Sequence, residues 1–166
     1  MIAEALTGLA SAASLFLLAS GLTLVFGVTR IANFAHGSFA MLGAYLAWSI
    51  LRLMPRDPWG FGAGVLLAAL AVGVVGLALE ALVLRRLYGA PELLQLLATF
   101  GLVLVIQDLA LVLWGAEDLV LPRPPWLRAS VPLPGGRFPR YDLALILLGP
   151  VMLGLLWLLL HRTRFG

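Results

Sequence analysis

Four stretches of this chain are so long and so apolar that water cannot be the solvent they fold in. From Leu6 to Val28 no side chain carries a charge, and Trp59 to Leu84 contains a single acid, Glu80. Leu93 to Trp114 likewise contains one, Asp108, and Tyr141 to Leu160 completes the set. A hydrocarbon core about 30 Å thick is crossed by about 20 helical residues at roughly 1.5 Å each, and every one of these runs meets that length. With 62% hydrophobic residues, 11% charged residues and a mean hydropathy of +1.05, the chain falls far from the soluble average of about a quarter charged. The apolar residues therefore specify a helical bundle in lipid.

Ile31 to Leu51 is a fifth candidate that reaches spanning length only when the polar Asn33–Ser38 segment is counted within it. The expected fold is thus all-α: a polytopic transmembrane bundle of about five spans, with the second interrupted near Asn33 to Ser38, forming one transmembrane domain over residues 1–166. The stretch Leu17 to Gly21 has the small residues of a cleavage site. No positive segment precedes it, however, and the apolar run continues through it to Val28, so it is read as part of a span.

Every basic residue is arginine, and cysteine is absent. Thiol nucleophiles, cysteine-ligated metals, disulfides and lysine-based phosphate grips are all excluded. The two histidines, His36 and His161, have no metal-ligand spacing, and neither a nucleophile elbow nor a phosphate loop occurs. The arginines also bear on orientation. Gly115 to Arg140 forms a proline-rich connection that favours extended or turn backbone. Outside that loop, Arg30, Arg85, Arg86, Arg162 and Arg164 outweigh Arg52 and Arg56. Charge asymmetry of this kind places the Arg85–Arg86 turn and the C-terminus in the cytoplasm and the N-terminus outside.

Several polar and small residues stand within the apolar runs. Gly60, Gly64, Gly73 and Gly76 are expected to let helices approach closely. Gln95, Thr99, Val103 and Gln107 follow one another at helical spacing. Two readings stand for that stripe: interhelical hydrogen bonding, or a polar lining along a path through the membrane. Asp108 reads as an acid near the outer interface bonded to a neighbour, and Glu80 as an interfacial acid reaching towards headgroups.

The segment Gly21–Trp48, "GLTLVFGVTRIANFAHGSFAMLGAYLAW", resembles the signature of Liv-type permease subunits, the integral membrane components of ABC importers for branched-chain amino acids. "LLATFGLVLVIQDLALVLWG", Leu96 to Gly115, resembles a later span of that family. "RTRFG" at the end resembles the start of its cytoplasmic segment. The resemblance implies a permease that pairs with a second, similar permease, two cytoplasmic ATPase subunits and an extracytoplasmic substrate-binding protein. ATP is then used by the partner subunits, and no cofactor is bound by this chain. Family members are about twice as long, so the sequence is read as an N-terminal half.

Candidate residues of the substrate pathway are Asn33, His36, Gly37, Ser38, Thr99 and Gln107. A half-helix starting near Gly37 would aim free N–H groups and a positive dipole end at a substrate carboxylate. Three other readings compete: a permease for urea or short amides, an intramembrane enzyme that brings His36 and Asp108 together, and a purely structural membrane subunit.

Overall fold

The computed structural model describes residues 2–29, 33–121, 124–133 and 136–162. Arg30, Ile31, Arg123 and the closing Thr163–Gly166 segment, on which parts of the orientation and span readings rest, lie outside the described residues. The element order is α1 (Ile2–Thr29), α2 (His36–Leu51), α3 (Pro58–Leu82), α4 (Glu92–Trp114), a one-turn α5 (Pro125–Arg128), a hairpin of β1 (Ser130–Leu133) and β2 (Gly136–Pro139), and α6 (Arg140–Arg162). A 3-10 turn, Leu84–Leu87, follows α3.

Among the described residues, four helical segments are long and apolar enough to cross a membrane: Glu4–Gly27, Pro58–Leu87, Glu92–Trp114 and Arg140–Arg162. They match the four uninterrupted runs of the sequence within a few residues. The fifth candidate differs in form. Its helix α2 has 16 residues, about 24 Å of rise, which falls short of a full hydrocarbon crossing. Among the described residues the irregular backbone ahead of α2 is residues 33–35, so Gly37 and Ser38 belong to the first turn of α2.

The chain forms two compact units, Leu22–Pro124 and Met1–Gly21 with Pro125–Gly166. In the first of these, α2 packs along α3 on a ridge of small residues repeating every fourth position. Gly60, Gly64 and Ala68 are buried. A Cβ added at Gly64 would meet Leu51 Cδ2 at 2.5 Å, and Val72 lies 3.5 Å from where a Cβ on Gly43 would stand. Small side chains let the two helices approach where lipid offers no hydrophobic drive for association. Gly76 faces Phe39 on α2, whereas the Cβ position of Gly73 has nothing within 4 Å. Gly64 and Gly76 thus lie against residues of α2, Gly60 lies against the turn that precedes its own helix, and Gly73 is on the exposed side of α3. The deepest cluster joins Ala35, just before α2, to Leu102 and Ile106 of α4, with Leu79 and Val83 packed against it.

Helix ends in this unit follow local chemistry. Asp57 caps α3, its Oδ1 accepting from Gly60 N at 2.7 Å, and Pro58 occupies the first turn, where its missing N–H costs nothing. Gly115 stops α4 at φ 81°, a left-handed value that glycine adopts without a Cβ clash. Near Trp114 an aromatic cluster ties α4 to α2: the Trp114 indole N–H donates to Ser49 Oγ at 2.8 Å, and Tyr45 stacks on the Trp114 ring at 5.1 Å.

In the other unit, α6 carries Pro150 within an otherwise continuous helix, and Gly149 lies against Ala13 of α1. Leu127 of α5 and Phe138 of β2 are buried. The proline-rich connection, expected to be extended or turn backbone, pairs part of itself into the antiparallel hairpin, with Ser130 opposite Pro139 and Val131 opposite Phe138. Proline is tolerated there because a two-stranded ribbon has outward-facing edges on both strands.

Candidate functional site

The start of α2 is built by a single asparagine. Asn33 is buried, its Oδ1 accepts from Ala35 N at 3.0 Å, and its backbone carbonyl accepts from His36 N at 3.1 Å. An asparagine side chain that bonds two residues onward mimics a backbone turn. Here the turn delivers the chain into α2 with Ala35 at the cap position and no side-chain cap on the helix. Unpaired backbone groups are costly in a low-dielectric setting, and Asn33 satisfies one from within the break.

Beside this turn lies a cavity of about 340 Å³, lined by Val25, Asn33, His36, Phe39, Val72, Gly76, Glu80, Leu84 and Tyr88. All of these residues belong to the Leu22–Pro124 unit. Ligand pockets start at about this size, with mostly apolar walls and a few placed polar groups. The walls here are valine, leucine and phenylalanine, and the polar groups are Asn33, His36, Glu80 and Tyr88. The cavity extends along α3 from its middle, at Val72, to the turn beyond its C-terminus, at Tyr88.

Of the six residues nominated from sequence, Asn33 and His36 meet in this cavity. The others take different positions. Gly37 is exposed, and open space surrounds the position of a Cβ there. Ser38 is buried without lining the cavity. Thr99 has no exposed surface, and its hydroxyl donates to Gln95 O and Leu96 O of its own helix, both at 3.0 Å. The buried face of α4 runs Thr99, Leu102, Ile106, Ala110, which leaves Gln107 exposed on another side. The Nε2 of Gln95 donates to Leu87 O at 3.0 Å and Ala90 O at 2.9 Å, stapling the turn that leads into α4.

Glu80 and Tyr88 are cavity residues that the sequence reading did not nominate. Tyr88 Oη donates to Glu80 Oε1 at 2.8 Å. A signal was present, because Glu80 follows Gly76, a predicted packing residue, by about one helical turn, and both line the cavity. Asp108 is exposed on α4 and does not line the cavity that holds His36, so the pair required for an intramembrane enzyme is not assembled here.

Spanning helices, a short helix that begins at an internal turn and a polar-tipped apolar cavity beside that turn define a multi-pass, all-α membrane protein. The chain belongs to the family described as the permease component of branched-chain amino acid transport systems, which it matches over residues 4–166. Among curated relatives it is 26% identical over 124 residues to the high-affinity branched-chain amino acid transport system permease protein BraD of Pseudomonas aeruginosa, a match covering 72% of this chain and 40% of the relative. It is 30% identical over 111 residues to the permease protein LivH of Salmonella typhimurium, covering 64% of this chain and 36% of the relative. A probable branched-chain amino acid transport permease protein LivH from Methanocaldococcus jannaschii is 36% identical over 93 residues, covering 55% of this chain and 29% of the relative. The chain thus spans about two fifths or less of the length of these relatives. No solved structure matches it.

Proposed function

We propose that this chain forms part of the translocation pathway of an ABC importer for branched-chain amino acids, located in a bacterial-type inner membrane. The observation that carries this reading is the cavity at the start of α2, where Asn33 and His36 meet apolar walls of a size and character suited to a small aliphatic solute. Family membership supports the transport role, and the printed names of the relatives support the substrate class. The partners are a second, similar permease, two cytoplasmic ATPase subunits and an extracytoplasmic binding protein. ATP is hydrolysed on the ATPase subunits, and this chain binds no cofactor. The Arg85–Arg86 turn faces the cytoplasm, so the cavity opens towards the cytoplasmic side of the pathway.

The test is ATP-dependent uptake of labelled leucine by the complete transporter in proteoliposomes. His36→Leu removes the polar ring at the mouth of the break and is expected to cut uptake at least tenfold while the subunits still assemble, since a charge-capable or hydrogen-bonding contact contributes about 1.5–3 kcal/mol. Asn33→Leu is expected to cut uptake as strongly while the chain still inserts. Uptake at the wild-type rate in both variants would make the break purely architectural.

A further inference from the structure

Glu80 is an acid within an apolar span, where ionisable side chains are costly and stand by default at a functional position. Its surroundings in the cavity are specific. One carboxylate oxygen, Oε1, is held by Tyr88, which fixes the orientation of the group. Oε2 has no hydrogen-bond donor among the described residues. The remaining walls divide into two kinds: apolar side chains such as Val72 and Leu84, and the amide and imidazole of Asn33 and His36.

We infer that Glu80, oriented by Tyr88, is the specificity-determining residue that receives the α-ammonium of a zwitterionic amino acid in this cavity. An α-amino acid with a branched side chain presents an ammonium, a carboxylate and an aliphatic chain. The cavity offers a carboxylate to the first, polar side chains to the second and apolar walls to the third. A charge-assisted N–H···O bond is about twice as strong as a neutral one, so a solute with an ammonium gains over one without. Urea and neutral amides can donate N–H bonds to Glu80 but carry no cation, so they lack the ion-pair attraction that an ammonium adds. The acid therefore sets the substrate class in favour of amino acids. This inference rests on the cavity being part of the pathway.

A primary ammonium also occurs on phosphatidylethanolamine, so the experiment separates the two sources. In the complete transporter, freed of other cysteines and held in phosphatidylcholine nanodiscs, Val72→Cys reports occupancy of the cavity through its rate of maleimide labelling. Leu84→Cys serves as a second reporter. Leucine is compared with 4-methylpentanoate, which keeps the aliphatic chain and the carboxylate and lacks the ammonium. Leucine should protect at a concentration about tenfold lower than 4-methylpentanoate. Glu80→Gln, which can still accept from Tyr88, should erase that ratio, and Glu80→Asp should retain most of it.

A ratio unchanged in Glu80→Gln would overturn the assignment while leaving the pathway reading intact. Labelling slowed by phosphatidylethanolamine in the absence of solute would give Glu80 to a lipid headgroup and also overturn it. Protection by neither solute in the wild-type protein would remove the cavity from the pathway, and the proposed function would fall with the inference.

Discussion

Tyr88 Oη lies 2.8 Å from Glu80 Oε1, a bond that closes across the turn between α3 and α4. It joins the last turns of a spanning helix to the connection that follows, and it does so at the edge of the cavity. The hydrogen bond to Glu80 raises the Tyr88 phenol above the ordinary tyrosine value of 10.0, burial and the Glu80 charge push the same way, and Arg85 opposes them.

For a phenol raised in the folded state, the stabilisation is fully present below the ordinary tyrosine value and is lost as pH rises through the folded value. Tyr88 therefore remains a donor at physiological pH. In an ultraviolet difference titration of the folded protein, Glu80→Leu should move one phenolate transition to lower pH relative to wild type. Coincident titration curves would show that the bond does not form in the membrane.

The turn into α4 depends on Gln95, whose side-chain amide donates to both Leu87 O and Ala90 O. Gln95→Leu leaves both carbonyls without this donor, at a cost of about 1–3 kcal/mol. Amide hydrogen exchange across residues 88–94 should accelerate by tenfold or more. Unchanged exchange in that segment would mean that the turn is held by other contacts.

Two glycines of α3 predict opposite outcomes. A Cβ at Gly60 would collide with the Pro55 carbonyl oxygen and come within 2.7 Å of the capping Asp57 Oδ1, whereas one at Gly73 meets nothing within 4 Å. Gly60→Ala should destabilise the detergent-solubilised protein by about 1–3 kcal/mol, as overpacking against backbone does. Gly73→Ala should be neutral or slightly stabilising through helix propensity, within about 1 kcal/mol. Equal melting temperatures for the two variants would contradict the packing described.

Orientation has its own test, and the absence of native cysteine keeps it free of background. Single cysteines at Arg86 and Ser130 should differ towards an impermeant reagent applied from outside, with labelling at position 130 only. Labelling at position 86 from outside would reverse the proposed topology.

The long helices were legible because a spanning run is a property of composition and length. Leu93 to Trp114 in sequence becomes Glu92–Trp114 in structure. The break before α2 was legible as well, since Asn33 and His36 have no reason to interrupt an apolar run unless the backbone changes there. What sequence could not supply was rotation. Thr99 and Gln107 fall two turns apart on a helix drawn in isolation, but at 3.6 residues per turn the buried stripe drifts to Ile106, and Gln107 turns away from it. Nor did it show that Thr99 would spend its hydroxyl on its own helix, or that Gln95 would reach back to a turn. Glu80, five residues before Arg85, reads from sequence as an interfacial acid, and its place beside Asn33 and His36 in the cavity comes only from the packing of α3 against α2.

The central claim is that the cavity at the start of α2 carries solute, and filling it tests that most directly. Gly76 lines the cavity, and a Cβ there would meet only the edge of the Phe39 ring, at 4.0 Å. Gly76→Leu adds bulk to the cavity without altering Asn33, His36, Glu80 or Tyr88. Measured in the complete transporter, ATP-dependent leucine uptake should fall at least tenfold while the subunits still assemble and ATPase activity persists. Uptake at the wild-type rate through an assembled Gly76→Leu transporter would place the pathway elsewhere.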